Sequence, residues 1–320
     1  MKAVVYERYG PPEVLQLREV DTPVPGHGDV LIKVMAASVN RSDWETLTGK
    51  PLYARIGGLL RPRHQILGSD IAGRVEAVGK SVESFRPGDE VFGDVMYHGA
   101  SGFAEYVRVP QSAPLAHKPA GISYAQASTL PQAGVIALQG IEGHIKAGSG
   151  VLINGAGGGA GGFAVQMAKA AGAEVTAVDN PHKQDFLRSL GADSVIDYTQ
   201  TDYTKTARPY DLILDLVCER SIFAIRRAVA PGGRYLVVGG SVRALLSAAI
   251  VGKLLASGGR RLGVLMVRPN QNDLVRLAEM VVAGELRPTI DRIYPLEEVP
   301  AALRRLGEGK VLGKVVIELG

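Results

Sequence analysis

The sequence is poor in cysteine: one, Cys218, stands in 320 residues. A lone thiol excludes an internal disulfide and any four-cysteine zinc lobe, and it fits a reducing compartment. The six histidines, His27, His64, His98, His117, His144 and His182, lack the paired spacing of a tetrahedral metal site. Charge of one sign is also scarce. Lysine and arginine number 36 against 32 acids, a net charge of +4, and they are scattered without a basic run or interleaved aromatics, so nucleic acid is not an expected partner. No apolar run is long enough to span a bilayer. The most apolar stretch, residues 244–256, is interrupted by Lys253 and reads as a buried or interface helix. The opening MKAVVYERYG has no signal-peptide core. The expected location is therefore the cytoplasm, with no membrane partner.

What is present is glycine in a particular place. Residues 151–162 read VLINGAGGGAGG: apolar residues suited to a buried parallel strand run into a glycine cluster, and FAVQMAKAA follows with helical spacing. Glycine lets the backbone turn sharply and approach a ligand, and the helix start behind it presents N–H groups and a positive dipole end to a pyrophosphate. Gly155, Gly158 and Gly161 fall three apart. A second strand at 174–178 ends in Asp179, 24 residues past Gly155, near the usual position of a ribose-binding acid.

Hydrophobic residues at 46% and charged ones at 21% suit a globular chain, and the length suggests two domains. The first third is valine-rich at 2–6, 29–37, 71–78 and 103–109, separated by turn signals at Pro23, Pro25-Gly26, Gly57-Gly58 and Arg86-Pro87-Gly88-Asp89. This predicts a mostly β domain. From Ser123 the texture becomes alanine-rich helix. Strands follow at 151–154, 174–178, 194–196, 211–216 and 234–238, with a sixth, GVLMV, at 263–267. Alternation of strand and helix predicts an α/β fold with a doubly wound parallel sheet, binding ligand at the carboxyl ends of its strands. A helix at 271–282 leads into a tail with a strand near 291–294, a helix at 296–306 and a strand at 313–319. That tail is expected to return to the first domain, giving domains 1–120 completed by 285–320, and 121–284.

Beyond the glycine turn, RPGDEVFG (86–93), GFAEYV (102–107), STLPQAGVIALQGI (128–141), SLGADSVIDY (189–198) and GKVVIEL (313–319) make the chain resemble the medium-chain dehydrogenase/reductase superfamily. Within it the chain is similar to the zinc-free, zeta-crystallin-like quinone oxidoreductases. The resemblance implies a GroES-like catalytic domain, a Rossmann domain, and hydride transfer from NAD(P)H to quinones or α,β-unsaturated carbonyls. Zinc-dependent relatives place a Cys-x-x-Asp segment and a Gly-His-Glu segment where this chain has Asn40-Arg41-Ser42-Asp43 and Gly68-Ser69-Asp70. No zinc is expected. An acceptor that delocalises the arriving charge needs less help than an alkoxide does.

Asp179 argues for NADH, because a carboxylate repels a 2′-phosphate. Lys183 and Tyr198 match phosphate-contacting positions of NADPH-using relatives, and the balance favours NADP(H), with NAD(H) possible. Backbone N–H groups at Gly158, Gly159 and Ala160 are expected to cradle the pyrophosphate, and Gly239 and Gly240, after the fifth strand, to lie beside the nicotinamide. The resemblance assigns Asn40 to the active site. Tyr53 is the nearest tyrosine to a substrate-facing hydroxyl of such enzymes, Glu45 standing at another expected tyrosine and Ile136 at a common threonine. Cys218 reads as packing. The apolar strand at 263–267 lies at the predicted sheet edge, so a homodimer through it is expected. The competing readings are an alcohol dehydrogenase or aldehyde reductase, and a non-catalytic NADPH-binding structural or regulatory protein.

Overall fold

The computed structural model describes residues 1–56, 58–205, 207–255 and 257–319. Gly57 of the predicted turn and Ala256 at the end of the apolar stretch lie outside the described residues. The chain divides into two compact units: Met1–Val135 with Pro269–Gly320, and Ile136–Arg268.

The first unit begins with β1 (Lys2–Val5) and β2 (Gln16–Glu19), an antiparallel pair. β3 (Asp29–Val39) follows, then α1 (Arg41–Thr48), β4 (Asp70–Val78), β5 (Glu90–Asp94), β6 (Tyr106–Pro110) and β7 (Leu115–His117). β3 is almost continuously buried because β4, β6 and a C-terminal strand all pair with it. α1 starts where Asn40 adopts an extended backbone and Asp43 accepts its N–H in a capping box; it stops at Gly49 (φ +62°), a left-handed cap that glycine takes without strain. α2 (Pro131–Ile141) carries the boundary between the units.

The second unit is a six-stranded parallel sheet. Its strands are β8 (Gly150–Asn154), β9 (Glu174–Asp179), β10 (Ser194–Asp197), β11 (Tyr210–Asp215), β12 (Val229–Val237) and β13 (Arg261–Val264), in the order β10-β9-β8-β11-β12-β13. α3 (Gly159–Ala170) connects β8 to β9. β8 lies between β9 and β11, so the strand order reverses beside it, and the carboxyl ends of β8 and β11 mark the position where sheets of this kind bind ligands.

α4 (Gln271–Val282), β14 (Ile290–Pro295), α5 (Val299–Gly307) and β15 (Lys314–Glu318) return the chain to the first unit. β14 and β15 complete a sheet of order β14-β15-β3-β4-β5-β7, with β6 also on β3. The first unit takes in residues 121–135 and 269–284 beyond the limits drawn from sequence, and Gly134 sits so close to α4 that an added Cβ would lie 2.9 Å from Leu277.

Two expectations need correction. β13 covers Arg261–Val264, and the sequence GVLMV leaves the sheet halfway, with Met266 exposed. Residues 244–255, expected as a buried or interface helix, run in consecutive helical turns but are not buried all round. Val242–Leu246, Ser247–Val251 and Gly252–Leu254 are short helical pieces with a π turn in the middle, and Leu246, Ile250 and Leu254 face solvent while Ala248 and Gly252 are buried.

Candidate functional site

The glycine turn forms at the carboxyl end of β8. Gly155 leaves β8 with φ +80°, and its N–H and that of Ala156 donate to Val178 O at 3.0 and 3.2 Å. Gly158 then caps α3, its own N–H donating to Gly155 O at 3.2 Å. The Gly158 N–H is thus engaged within the turn in this structure. Gly159, Ala160 and Gly161 form the first turn of α3, where N–H groups have no carbonyl four residues back in their helix. Gly161 is fixed by contact: an added Cβ would lie 2.3 Å from Gly155 O and 2.5 Å from Ala156 Cα. This turn, with backbone donors at a helix start and no side chains over them, fits a dinucleotide pyrophosphate.

Asp179 closes β9 and is buried. Its Oδ2 accepts the Gly157 N–H at 2.7 Å and its Oδ1 the Asn180 N–H at 2.8 Å, and Lys183 Nζ pairs with Oδ1 at 3.1 Å. Lys183 is thus buried and paired. Its stem packs on Gly157, where a Cβ would lie 2.4 Å from Lys183 Cδ. Tyr198 is partly exposed and donates to Asn180 Oδ1 at 2.7 Å.

A second cluster was not foreseen. Asp215, fully buried at the end of β11, accepts Asn154 Nδ2 and the Cys218 N–H, both at 2.8 Å, and the Val217 N–H at 3.1 Å on Oδ1; its Oδ2 accepts Tyr235 Oη–H at 3.1 Å. Asn154 Nδ2 also donates to Tyr203 Oη at 3.2 Å. The cluster holds Cys218 at φ +61°, and Gly240 (φ +98°) comes so near that a Cβ there would lie 2.8 Å from Cys218 Cβ. Gly239 (φ +73°) faces open space. Asn154, Asp215, Gly239 and Gly240 all follow or end β8, β11 and β12 at their carboxyl ends, and the polar ending of two otherwise apolar strands was the available signal.

In the first unit, Asn40 sits between α1 and the sheet. Its Nδ2 donates to Ser69 Oγ at 3.1 Å and its Oδ1 accepts Lys314 Nζ at 2.5 Å. Lys314 also donates to Val39 O at 3.3 Å and approaches Asp70 Oδ2 at 3.5 Å, to which Ser38 Oγ donates at 3.2 Å. Gln132 N donates to Asp70 Oδ1 at 3.1 Å. Asp43 accepts the N–H groups of Asn40 and Gly68 at 2.8 and 3.1 Å. All of these carboxylates are buried. Burial pushes Asp43 up to about 7, and it does the same to Asp94, with the Asp70 charge adding to the rise. Asp70 is also raised by burial, against the pull of Lys314, while burial lowers Lys314. Tyr53 stands on a single 3-10 turn, Leu52–Arg55, and its phenol donates to Glu45 Oε2 at 3.2 Å. Burial, then the Glu45 charge, raise that phenol to about 12.

Comparison with known proteins bears on the family. Residues 26–120 match the alcohol dehydrogenase GroES-like domain, and residues 190–317 match a zinc-binding dehydrogenase domain. The quinone oxidoreductase QR1 of Triphysaria versicolor is 33% identical over 99% of this chain and 98% of its own. The chain belongs to the medium-chain dehydrogenase/reductase superfamily, in its quinone oxidoreductase branch. A chloroplastic NADPH-dependent alkenal/one oxidoreductase of Arabidopsis thaliana is 31% identical over 99% of this chain and 79% of its own. The solved quinone oxidoreductase of Coxiella burnetii is 30% identical, with a TM-score of 0.87 over 100% of this chain and 99% of that one.

The zinc-binding description of one matched domain does not suit this medium-chain reductase. Where zinc-dependent members carry thiolate and imidazole, the donors here are Asn40, Asp43, Ser69 and Asp70, and the Lys314 ammonium among them would repel a second cation. Among the described residues no group of three or more His, Cys, Asp or Glu side chains is placed to hold a metal ion.

Proposed function

We infer that this oxidoreductase delivers hydride from a nicotinamide cofactor to a quinone or an α,β-unsaturated carbonyl, without zinc. One observation carries the reading: the amide, hydroxyl and ammonium set around Asn40 replaces the soft donors of a Lewis-acid site. An alkoxide made from an isolated carbonyl needs concentrated positive charge; a hydroquinone anion or enolate spreads its charge and is served by hydrogen-bond donors. The bound cofactor supplies the hydride.

The α3 turn at Gly159, Ala160 and Gly161 holds the pyrophosphate, and Gly239 and Gly240 leave room beside the nicotinamide. Asn40, whose amide is oriented by Lys314, is the catalytic-domain donor to the acceptor oxygen. Tyr53 is engaged by Glu45, so the proton comes from water. NADP(H) is the favoured cofactor: Asp179 already accepts two N–H groups and faces Lys183, so a 2′-phosphate meets a compensated carboxylate, with Tyr198 at its rim. The free edge of β13 supports a homodimer, and the cytoplasm remains the proposed location.

The test is loss of nicotinamide absorbance when chelator-treated protein meets a simple quinone, run with NADPH and with NADH. Turnover preferring NADPH is expected. Turnover only after zinc is restored, or on simple alcohols with the oxidised cofactor, would overturn the reading. A sedimentation profile of a monomer at micromolar concentration would remove the homodimer.

A further inference from the structure

The second unit carries its charge unevenly. Between Glu219 and Asp273 the chain holds nine lysines and arginines and no acid. Four of these cations, Arg234, Lys253, Arg260 and Arg261, line a cavity of about 290 Å³ against β12 and β13, with Leu236 and Gly263 also in its wall. None of the four forms an ion pair among the described residues.

The strands themselves hold two of these charges together. Arg234 of β12 and Arg261 of β13 are partners in the parallel register, so their side chains leave the same face of the sheet on strands about 4.8 Å apart. Arg234 is half-buried. Like charges facing each other across a strand pair cost stability unless something neutralises them. Arg260 is fixed from behind: its Nε donates to Val229 O at 2.8 Å and Nη1 to Ser257 O at 3.2 Å. Those carbonyls orient the guanidinium and leave its charge uncompensated.

An anion relieves this arrangement, and the number of cations says which kind. A single carboxylate leaves most of the charge unmet. A nucleic-acid backbone calls for cations strung along a groove, whereas these converge on one cavity. Phosphate suits them: guanidinium forks meet its oxygens in pairs, and a phosphomonoester or a diphosphate brings two or more negative charges into a space of this size. We propose that the cavity at β12 and β13 binds a small phosphorylated ligand, a phosphomonoester or a diphosphate. The site is separate from the glycine turn. Arg234 is in register with Leu212, and Leu212 with Val151, three residues before Asn154. Arg234 therefore stands about 10 Å back from the carboxyl ends of the strands and two strands away from β8. The proposal does not rest on the reaction or on its acceptor.

Calorimetric titration of the full chain with inorganic pyrophosphate at low salt, with and without saturating NADPH, tests it. Saturable binding below about 1 mM is expected, unchanged by NADPH. Arg234→Gln with Arg261→Gln should weaken it at least about ten-fold. Pyrophosphate should raise the melting temperature of the parent and not of this variant, which by itself should melt no lower than the parent because a like-charge pair is gone. Lys253→Gln, at an exposed position, gives a second and smaller weakening that does not depend on the strands. The proposal is overturned if the parent does not saturate below about 1 mM, or if the double variant and Lys253→Gln both bind as the parent does. It is equally overturned if NADPH displaces the pyrophosphate, which would put the anion in the glycine turn, or if a single-stranded oligonucleotide binds more tightly at equal phosphate concentration.

Discussion

Lys314 Nζ lies 2.5 Å from Asn40 Oδ1, joining the first residue of β15 to the residue that caps α1, 274 positions away. The contact fixes which way the amide faces. With Oδ1 on the ammonium, Nδ2 is left as the donor side, serving Ser69 Oγ at 3.1 Å and the neighbouring Asp70 carboxylate. A cation thus sits against the carbonyl end of a neutral amide and polarises it.

Removing that cation should be costly. Lys314→Met leaves Asp70, fully buried, without its counter-charge, and breaking a buried pair costs about 3–5 kcal/mol. Adding Asp70→Asn should recover much of the loss, since the stranded charge goes with it. Urea unfolding of the two single variants and the double variant measures the coupling. Additive effects would show that the two side chains do not act as a pair.

The glycine turn offers a contrast within one motif. Gly161→Ala places a methyl 2.3 Å from Gly155 O, and either the turn or α3 must move; about 1–3 kcal/mol of stability should be lost, with weaker NADPH binding. Gly158→Ala meets nothing closer than 3.6 Å at φ −84° and should leave thermal stability unchanged. Melting of the cofactor-free protein separates the two. Equal losses would mean that the close approach at Gly161 is not what glycine serves.

The parts legible in the sequence were those with local causes. β8, the glycine turn, α3 and β9 follow from a short apolar run, residues free to take unusual angles and a helical period, all within about 30 residues as a βαβ unit requires. Asp179 and Lys183 were placed at the correct end of β9, and their pairing needs only the turn between them. Lys314 was not legible. A lysine opening a strand reads as a solvated end, and its partners Asn40 and Asp70 lie 274 and 244 positions away. Asp215 was missed for a similar reason: its acceptors' worth depends on Cys218 turning back and on Tyr235 of the next strand. The edge strand was misjudged at 265–267 because an apolar run carries no mark of where its sheet partner stops. Val237 of β12 pairs with Val264 and its carbonyl accepts the Leu265 N–H at 2.9 Å, and among the described residues no strand pairs further along.

The buried carboxyls predict an unusual pH dependence. Asp43 and Asp94 rise in the folded chain, mainly through burial, to about 7 from an ordinary value near 3.8. The native state therefore holds protons that the unfolded chain releases between those values. Stability falls as pH rises through this window, by at most about 1.4 kcal/mol per pH unit for each group, and levels off above the folded value. His144, lowered by burial and by Arg234, works the other way below its ordinary 6.5. Comparison with Asp94→Asn isolates the carboxyl. That variant keeps an acceptor for the Met96 N–H, and its advantage over the parent should grow from pH 5 to 7 in urea titrations, about neutral pH marking the end of the trend. A constant difference across that range would mean Asp94 is ionised throughout.

Cys218 gives the last prediction. Its thiol is buried, lies 3.5 Å from Tyr235 Oη, and is raised above the ordinary range by burial, so little nucleophilic thiolate forms at neutral pH. An aromatic disulfide reagent should label it slowly in the native protein and at the rate of a free thiol in urea, the ratio exceeding about a hundred-fold if labelling requires the turn to open. Asp215 is what keeps that turn shut: its Oδ1 binds the N–H groups of both Val217 and Cys218. Asp215→Ala strands those donors together with Asn154 and Tyr235, at about 1–3 kcal/mol for each group left buried and unpaired, so it should lose several kcal/mol and label quickly without denaturant. Bound NADPH, if it rests against Gly239 and Gly240, should slow labelling of the parent further, since Gly240 packs on Cys218 Cβ and cannot yield while the cofactor is held. Rapid labelling of the untreated parent would show that the Asp215 turn opens freely in the native protein.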